Sequence, residues 1–374
     1  MNKFIKVSVI ALIGSFLAIL SSCTNDGMDD AGSDFDRPAM LNNYGNNLIL
    51  PSYENLKSSV DEMNTAADAF SNEPTAANLS ELQDKLKNAR LAWQDAAIYQ
   101  FGPAEMNVLR AVLNTYPADT EQVNSNIESG TYNLETLENR AAAGFPTLGY
   151  LLHGTGDSNE QIVLAYTADQ NASNRMAYLQ DNVDYIKENT DATLNAWLPS
   201  GGNYIETFLS DDNAGTDVGS SLGMMVNALV LHYERFMRDG KIGIPAGVRS
   251  AGVPRPEATE SYYAGYSLEL AIANLQAIKR LYLGTGPAAG DGLGLEENLI
   301  SLDASGLSND IVTEMDQAIA ALQNLNDPLS GQIESNNDPV LTAFQELQDV
   351  VVLLKADMAS ALGVTITFQD NDGD

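Results

Sequence analysis

The stretch LSELQDKLKNARLAWQDA, residues 79–96, places Leu79, Leu82, Leu86, Ala89, Trp93 and Ala96 at alternating steps of three and four. That spacing puts every apolar side chain on one face of an α-helix and leaves the charged residues on the other. The same rhythm runs through Tyr53, Leu56, Val60, Met63, Ala67 and Phe70, and through Met176, Leu179, Val183, Ile186, Thr190 and Trp197. Further stripes occupy 218–236, 262–283, 311–325 and 340–362. Helix punctuation accompanies them: Pro51 near one start, Asp119 before a polar helix, and breaks at Gly102-Pro103 and Asp327-Pro328. Alternating strand patterns are missing. VTITF, residues 364–368, is β-prone, but a lone strand makes no sheet. The expected fold is all-α.

A chain of 374 residues can build more than one core. Two helical-bundle domains packed side by side are expected, an N-terminal one over 49–212 and a C-terminal one over 213–374. The polar, Gly-containing segment SDDNAGTDVGSS, 210–221, marks the boundary. Residues 240–261, GKIGIPAGVRSAGVPRPEATES, read as a long Gly/Pro loop near the domain junction, a feature that in a bundle is functional or a wrapped interface.

The N-terminus carries its own signal. Lys3 and Lys6 precede an apolar run from Val7 to Leu20 that is too short to span a bilayer as a mature helix. It closes on Leu20-Ser21-Ser22-Cys23, which resembles the bacterial lipobox, so residues 1–22 are expected to be a lipoprotein signal peptide and Cys23 the lipidation site. Residues 23–48 are expected to be a flexible acidic tether. Acidic residues directly after the cysteine resemble the surface-export signal of Bacteroidetes lipoproteins. These features predict an outer membrane lipoprotein, facing the periplasm or the cell surface and held by its lipidated N-terminus.

Lys plus Arg total 19 against 51 Asp plus Glu, a formal charge of -32. Such a chain repels phosphate backbones, so nucleic-acid binding is not expected. It is expected to be a monomer. Two histidines, His153 and His232, preclude an HExxH zinc site, and a lipidated Cys23 leaves no catalytic thiol. GSSLG, 219–223, matches GxSxG but opens a helix instead of following a strand. GTGPAAGDGLG, 284–294, follows a helix and suits a loop. DNDGD, 370–374, begins like a calcium loop but lacks the closing glutamate. His232, beside Met225, Leu229 and Phe236, fits a hydrogen-bonded core histidine better than a metal ligand.

Several stretches taken in order carry a family resemblance: LAWQDAAIYQFGPAE (91–105), TYPADTEQVNSNIESG (115–130), GFPTLGYLLHG (144–154), then the 240–261 segment and its following helix. The chain resembles the imelysin-like lipoproteins from about residue 50 onward. The resemblance implies an all-helical protein of two bundle-like domains, exported and often membrane-anchored, in a family classed as metallopeptidases and linked to iron uptake. Its site is expected between the domains.

The family motif is Gly-x-His-x-x-Glu, in which residues three apart on a helix can reach one cation. Here Gly144 matches the glycine, Pro146 stands at the histidine and Gly149 at the glutamate. Proline offers no donor atom and glycine no side chain, so neither ligand remains. Pro146 suits the first turn of a helix packed through Phe145, Leu148, Leu151 and Leu152. His153 lies two turns beyond Pro146 on roughly the same face, displaced by about 10 Å. A rescued ligand and a histidine at the helix end before Gly154 are its two readings.

A surviving site is expected where the 144–154 helix faces the 240–261 loop, with His153, His232, Arg249, Ser250, Glu257 and Ser267 lining it. Arg249 is read as a loop-to-helix salt bridge or an anion contact. The expected function is that of an envelope binding or accessory protein in iron, metal or nutrient acquisition, working with uptake-system proteins, without catalytic residues or the family's intact metal motif. Iron or another divalent metal enters only through the resemblance. The alternatives are a divergent peptidase and a structural lipoprotein whose domain junction is packed shut.

Overall fold

In the computed structural model, which describes residues 35–286 and 290–369, the apolar stripes become the buried faces of helices. Helix α1 (Arg37–Asn43) runs through a π-helical turn, Tyr44–Ile49, into α2 (Leu50–Asn72). After Thr75, whose hydroxyl accepts from the Asn78 N–H, comes α3 (Ala76–Ala96). Then follow α4 (Leu109–Leu113), α5 (Thr120–Ser129, with the Asp119 carboxylate accepting from the Gln122 N–H), α6 (Gly144–His153) and α7 (Ala172–Trp197). Helix α8 (Ser221–Leu231) continues as a π-helical stretch, His232–Gly243. The chain finishes with α9 (Ser267–Leu283), α10 (Ser305–Gln323) and α11 (Asp338–Val352). Among the described residues there is no strand, only an isolated bridge between Gly286 and Gly290. The all-α expectation holds.

Helix α2 packs along α3 and α7, and α6 is laid across α3 and α7. On the other side α9 packs on α3 and α10, while α11 pairs with α10 and with the π-helical stretch. The stripe residues Leu79, Leu82, Leu86 and Ala89 are fully buried between these layers. Each such leucine contributes roughly 2 kcal/mol by leaving water. The described residues belong to one compact unit, with an apolar cluster extending through both halves. No helix among them is long and apolar enough to cross a membrane. Cys23, the signal segment and the DNDGD tail lie outside the described residues.

Two segments differ from expectation. The tether does not reach residue 48: Asp36 caps α1, Pro38 sits in its first turn, and Met40, Leu41, Tyr44, Leu48 and Ile49 are buried. An apolar face was hidden there by polar neighbours. Nor is 240–261 a loop throughout, because the π-helical stretch runs on to Gly243. A Cβ on Gly243 would meet the Phe344 ring at 2.6 Å, so glycine lets this stretch lie against α11. Beyond it the chain is a set of bonded turns, with Arg255 N–H donating to the Pro245 carbonyl at 2.8 Å and a single 3-10 turn at Pro256–Ala258. VTITF is extended without sheet pairing. The Asn227 amide bonds the Thr365 carbonyl and the Thr367 N–H instead.

Helix α6 positions the motif residues, and Gly144 positions α6. Its φ is +83°, and a Cβ there would lie 2.5 Å from the Leu113 carbonyl oxygen and 2.7 Å from that of Val112. Its N–H donates to the buried Asn182 side chain. Pro146 occupies the first turn, where its missing N–H leaves nothing unpaired. Gly144→Ala combines left-handed strain with backbone overlap and is expected to cost about 3 kcal/mol, read as a lower urea midpoint at unchanged m-value.

Candidate functional site

A seam of buried charge runs between α3, α4, the π-helical stretch and the turn after residue 256. Glu260 is its centre. Oε1 accepts from Asn114 at 2.8 Å and from Gln94 Nε2 at 3.2 Å, and Oε2 pairs with Lys241. Lys241 Nζ also donates to Gln94 Oε1 at 2.8 Å. One turn back on α3, Arg90 donates to the Glu260 carbonyl at 2.6 Å and to Ser261 Oγ at 3.3 Å. All but Asn114 are buried. Burial by itself would raise the Glu260 carboxyl, but Lys241 and Arg90 outweigh it and hold it below the usual range.

Arg90 also forms the floor of a cavity of about 240 Å³ at the motif position, whose walls include Pro146, Gly149, Tyr116, Glu257 and Tyr263. Its Nη1 lies 3.4 Å from where a Cβ on Gly149 would be. A guanidinium therefore stands against the position of the motif glutamate. At the end of α6, His153 is mostly buried, and burial together with Arg90 depresses it to about 4, with Asp84 opposing weakly. Gly154 caps the helix, its N–H donating to the Tyr150 carbonyl at 2.7 Å.

Beyond Tyr116 and Pro117, which line both spaces, lies a larger cavity of about 660 Å³. Its walls are mostly apolar, with Arg110 on one side. Arg110 Nη2 donates to the Ala97 carbonyl at 2.7 Å and meets His232 Nδ1 at 2.7 Å, while the guanidinium covers the Phe236 ring 3.7 Å from its centre. An arginine can only donate, so Nδ1 accepts and the imidazole proton sits on Nε2. From there it reaches Asn274 Oδ1 at 2.9 Å, and Asn274 Nδ2 donates to the Gln94 carbonyl at 2.9 Å. Burial first, then Arg110, keep His232 neutral, as this chain of bonds requires. Burial also lowers Arg110, to about 9, leaving it charged at neutral pH.

The remaining expected residues scatter. Arg249 grips Asp239 with both Nε and Nη2, at 3.1 and 2.9 Å, the salt bridge of the two readings. Ser250 bonds carbonyls of its own turn, at Gly247 and Val253. Glu257 is exposed, pairs with Arg255 at 3.2 Å and borders the motif cavity. Ser267 is buried and its Oγ accepts from the Ser261 N–H. Ser220 of GSSLG caps α8. Residues absent from the expected set are Arg90, Gln94, Arg110, Asn114, Lys241 and Glu260. A signal existed for two of them: Arg90 and Gln94, four apart, border the buried stripe of α3 next to Ala89 and Trp93.

A family model described as Imelysin, a peptidase family, matches residues 49–357. The chain belongs to the imelysin family. An iron-regulated protein A precursor from Parabacteroides distasonis has the same fold, with a TM-score of 0.71 at 18% identity over 87% of this chain and 95% of its own. An imelysin-like protein from Psychrobacter arcticum superposes with a TM-score of 0.64, also at 18% identity, over 90% of this chain and 99% of its own. Iron-regulated protein A of Synechococcus elongatus is 25% identical over 81 residues, a stretch that spans 22% of this chain and 23% of that protein.

The residues of this imelysin do not fit the family's metal. Pro146 and Gly149 offer no ligand atom, the Arg90 guanidinium repels a cation there, and no group of three His, Cys, Asp or Glu converges on one point among the described residues. What the motif position offers is a fixed cation with polar neighbours. Two outcomes follow. Glu260→Gln removes the carboxylate that balances Lys241 and Arg90, and is expected to cost about 3–5 kcal/mol in urea unfolding. His153, depressed in the folded state, binds its proton more readily when unfolded. Stability is therefore full above about pH 6.5 and falls as pH drops toward 4. In thermal melts across that window, His153→Gln is expected to lose up to about 3 kcal/mol less than the parent.

Proposed function

We propose that this imelysin-family chain is a metal-free binding protein of the bacterial envelope, serving iron or nutrient acquisition without catalysing a reaction. One observation carries the reading: the Arg90 guanidinium stands beside Gly149, where the family motif would place a carboxylate ligand. A positive charge excludes a divalent cation and leaves a peptidase without its metal. The two cavities, about 240 and 660 Å³, favour a ligand-binding role over a scaffold packed shut. The iron-regulated relatives support the acquisition context. The lipobox-like Leu20-Ser21-Ser22-Cys23 supports anchoring at the outer membrane through lipidated Cys23, in reach of uptake-system proteins.

Metal analysis tests the central claim. After loading with iron, zinc or copper and removal of excess, the protein is expected to retain far less than one ion per chain. The double variant Pro146→His, Gly149→Glu is expected to stay metal-free as well, because the introduced carboxylate meets Arg90 first. Stoichiometric metal in the parent protein, or inhibitor-sensitive peptide cleavage by it, overturns the reading. Cys23→Ser is expected to move the protein out of the membrane fraction, checked by fractionation and mass spectrometry of the N-terminus.

A further inference from the structure

Most basic groups near the buried seam are matched to a carboxylate: Lys241 to Glu260, Arg249 to Asp239, Lys355 to Glu234, Arg280 to Asp95. In a chain with 51 acids and 19 bases that is the expected outcome. Arg90 and Arg235 bond backbone carbonyls instead, and Arg110 is set apart by its surroundings. Its bonds go to a carbonyl and a neutral imidazole, both through Nη2, and no carboxylate pairs with it among the described residues. Arg110 is half-buried, and a partly desolvated cation without a counter-charge favours a ligand that supplies one. Its setting is also fixed. The His232–Asn274–Gln94 relay holds Nη2, and the Phe236 ring covers one face at 3.7 Å. Nε and Nη1 make no hydrogen bond to the described residues, and Arg110 lines the cavity of about 660 Å³.

Glu105, Arg235 and Arg255 also line that cavity, and much of the remaining lining offers an apolar surface for a ligand's body. Val108, Ala111, Leu231, Phe236 and Ile244 contribute to its walls. Its volume falls in the range of small-molecule sites. An arginine held on a largely apolar wall asks for a negative charge on an apolar molecule. A polyanion would face Glu105 in the cavity wall and a protein of formal charge -32.

We propose that the larger cavity binds an amphipathic monocarboxylate, its carboxylate on the remaining N–H groups of Arg110 and its aliphatic or aromatic body against Phe236, Leu231 and Ile244. This rests on reading the chain as a binding protein and is independent of whether the motif position takes a metal. The relay residues His232 and Asn274 act as positioning residues, keeping the guanidinium edge toward the cavity. Because both Nη2 hydrogens are used, the carboxylate is met by a single charge-assisted hydrogen bond from the remaining N–H groups.

Isothermal titration calorimetry with decanoate and 4-phenylbutyrate, each against the alcohol of the same body, tests the proposal. At least one acid is expected to bind saturably at one site per chain, and tenfold or more tighter than its alcohol. Arg110→Met is expected to erase that preference while leaving alcohol binding in place, which a purely structural role for Arg110 would not do. Should Arg110→Met fail to fold, Ala111→Trp, which fills the cavity and keeps the charge, is expected to weaken both acid and alcohol tenfold or more. No saturable binding of either acid at millimolar concentration, equal affinity for acid and alcohol, or unchanged acid binding in a folded Arg110→Met or Ala111→Trp protein overturns the proposal. Metal content measured on the same preparation separates this outcome from that of the metal-free reading: metal together with acid binding sinks only the latter.

Discussion

A carboxylate buried at Glu260 governs the arrangement of everything around it. Taking that charge out of water costs several kcal/mol, and the cost is offset only when each oxygen is met by donors held at the right distance. Asn114, Gln94 and Lys241 supply them, with Arg90 adding positive charge and binding the same residue's carbonyl. With Glu260 itself, these groups come from four separate segments. Their convergence fixes how α3, the 109–117 segment, the π-helical stretch and the turn at 256–264 meet. The smaller cavity is lined from α3, the 109–117 segment and the 256–264 turn, and the larger from the 109–117 segment, the π-helical stretch and Ala258.

The π-helical stretch is the second determinant. Its wider turn carries His232, Glu234, Arg238, Asp239 and Lys241, all buried, within twelve residues. Each finds a partner on a different element: Arg110 and Asn274 for His232, Lys355 for Glu234, Gln348 for Arg238, Arg249 for Asp239. A regular helix would turn some of these side chains away from their partners, and π-helical segments concentrate at functional positions for this reason. The stretch therefore joins the C-terminal helices to the seam and orients the imidazole that holds Arg110. At Pro146 and Gly149 the neighbouring side chain is the Arg90 guanidinium.

The helices were legible from residue spacing alone. Tyr53 through Phe70 and Leu79 through Ala96 are buried along their whole length, as a one-sided apolar face must be once helices pack. Residues 37–49 were less legible, because Asn and Gly diluted a face built from Met40, Leu41, Tyr44 and Leu48. Residues 240–243 were misjudged because two glycines signal a loop locally, although one of them is needed for contact with Phe344. The charged seam was the least visible part. Arg90 and Glu260 bond across 170 residues, and no local pattern distinguishes them from surface charges.

What the sequence by itself determined is the helical class, the first turn at Pro146 and the absence of a ligand atom at Pro146 and Gly149, since each follows from the residue present at one position or from spacing along one helix. The tertiary structure alone decided what replaces them. That a guanidinium from α3 stands 3.4 Å from a Cβ position on α6, or that Arg110 faces an apolar cavity without a carboxylate, depends on helices brought together by burial. An empty motif position states only which atoms are missing. The charge that fills its surroundings is set by packing between distant segments, where desolvation makes each unmatched group count.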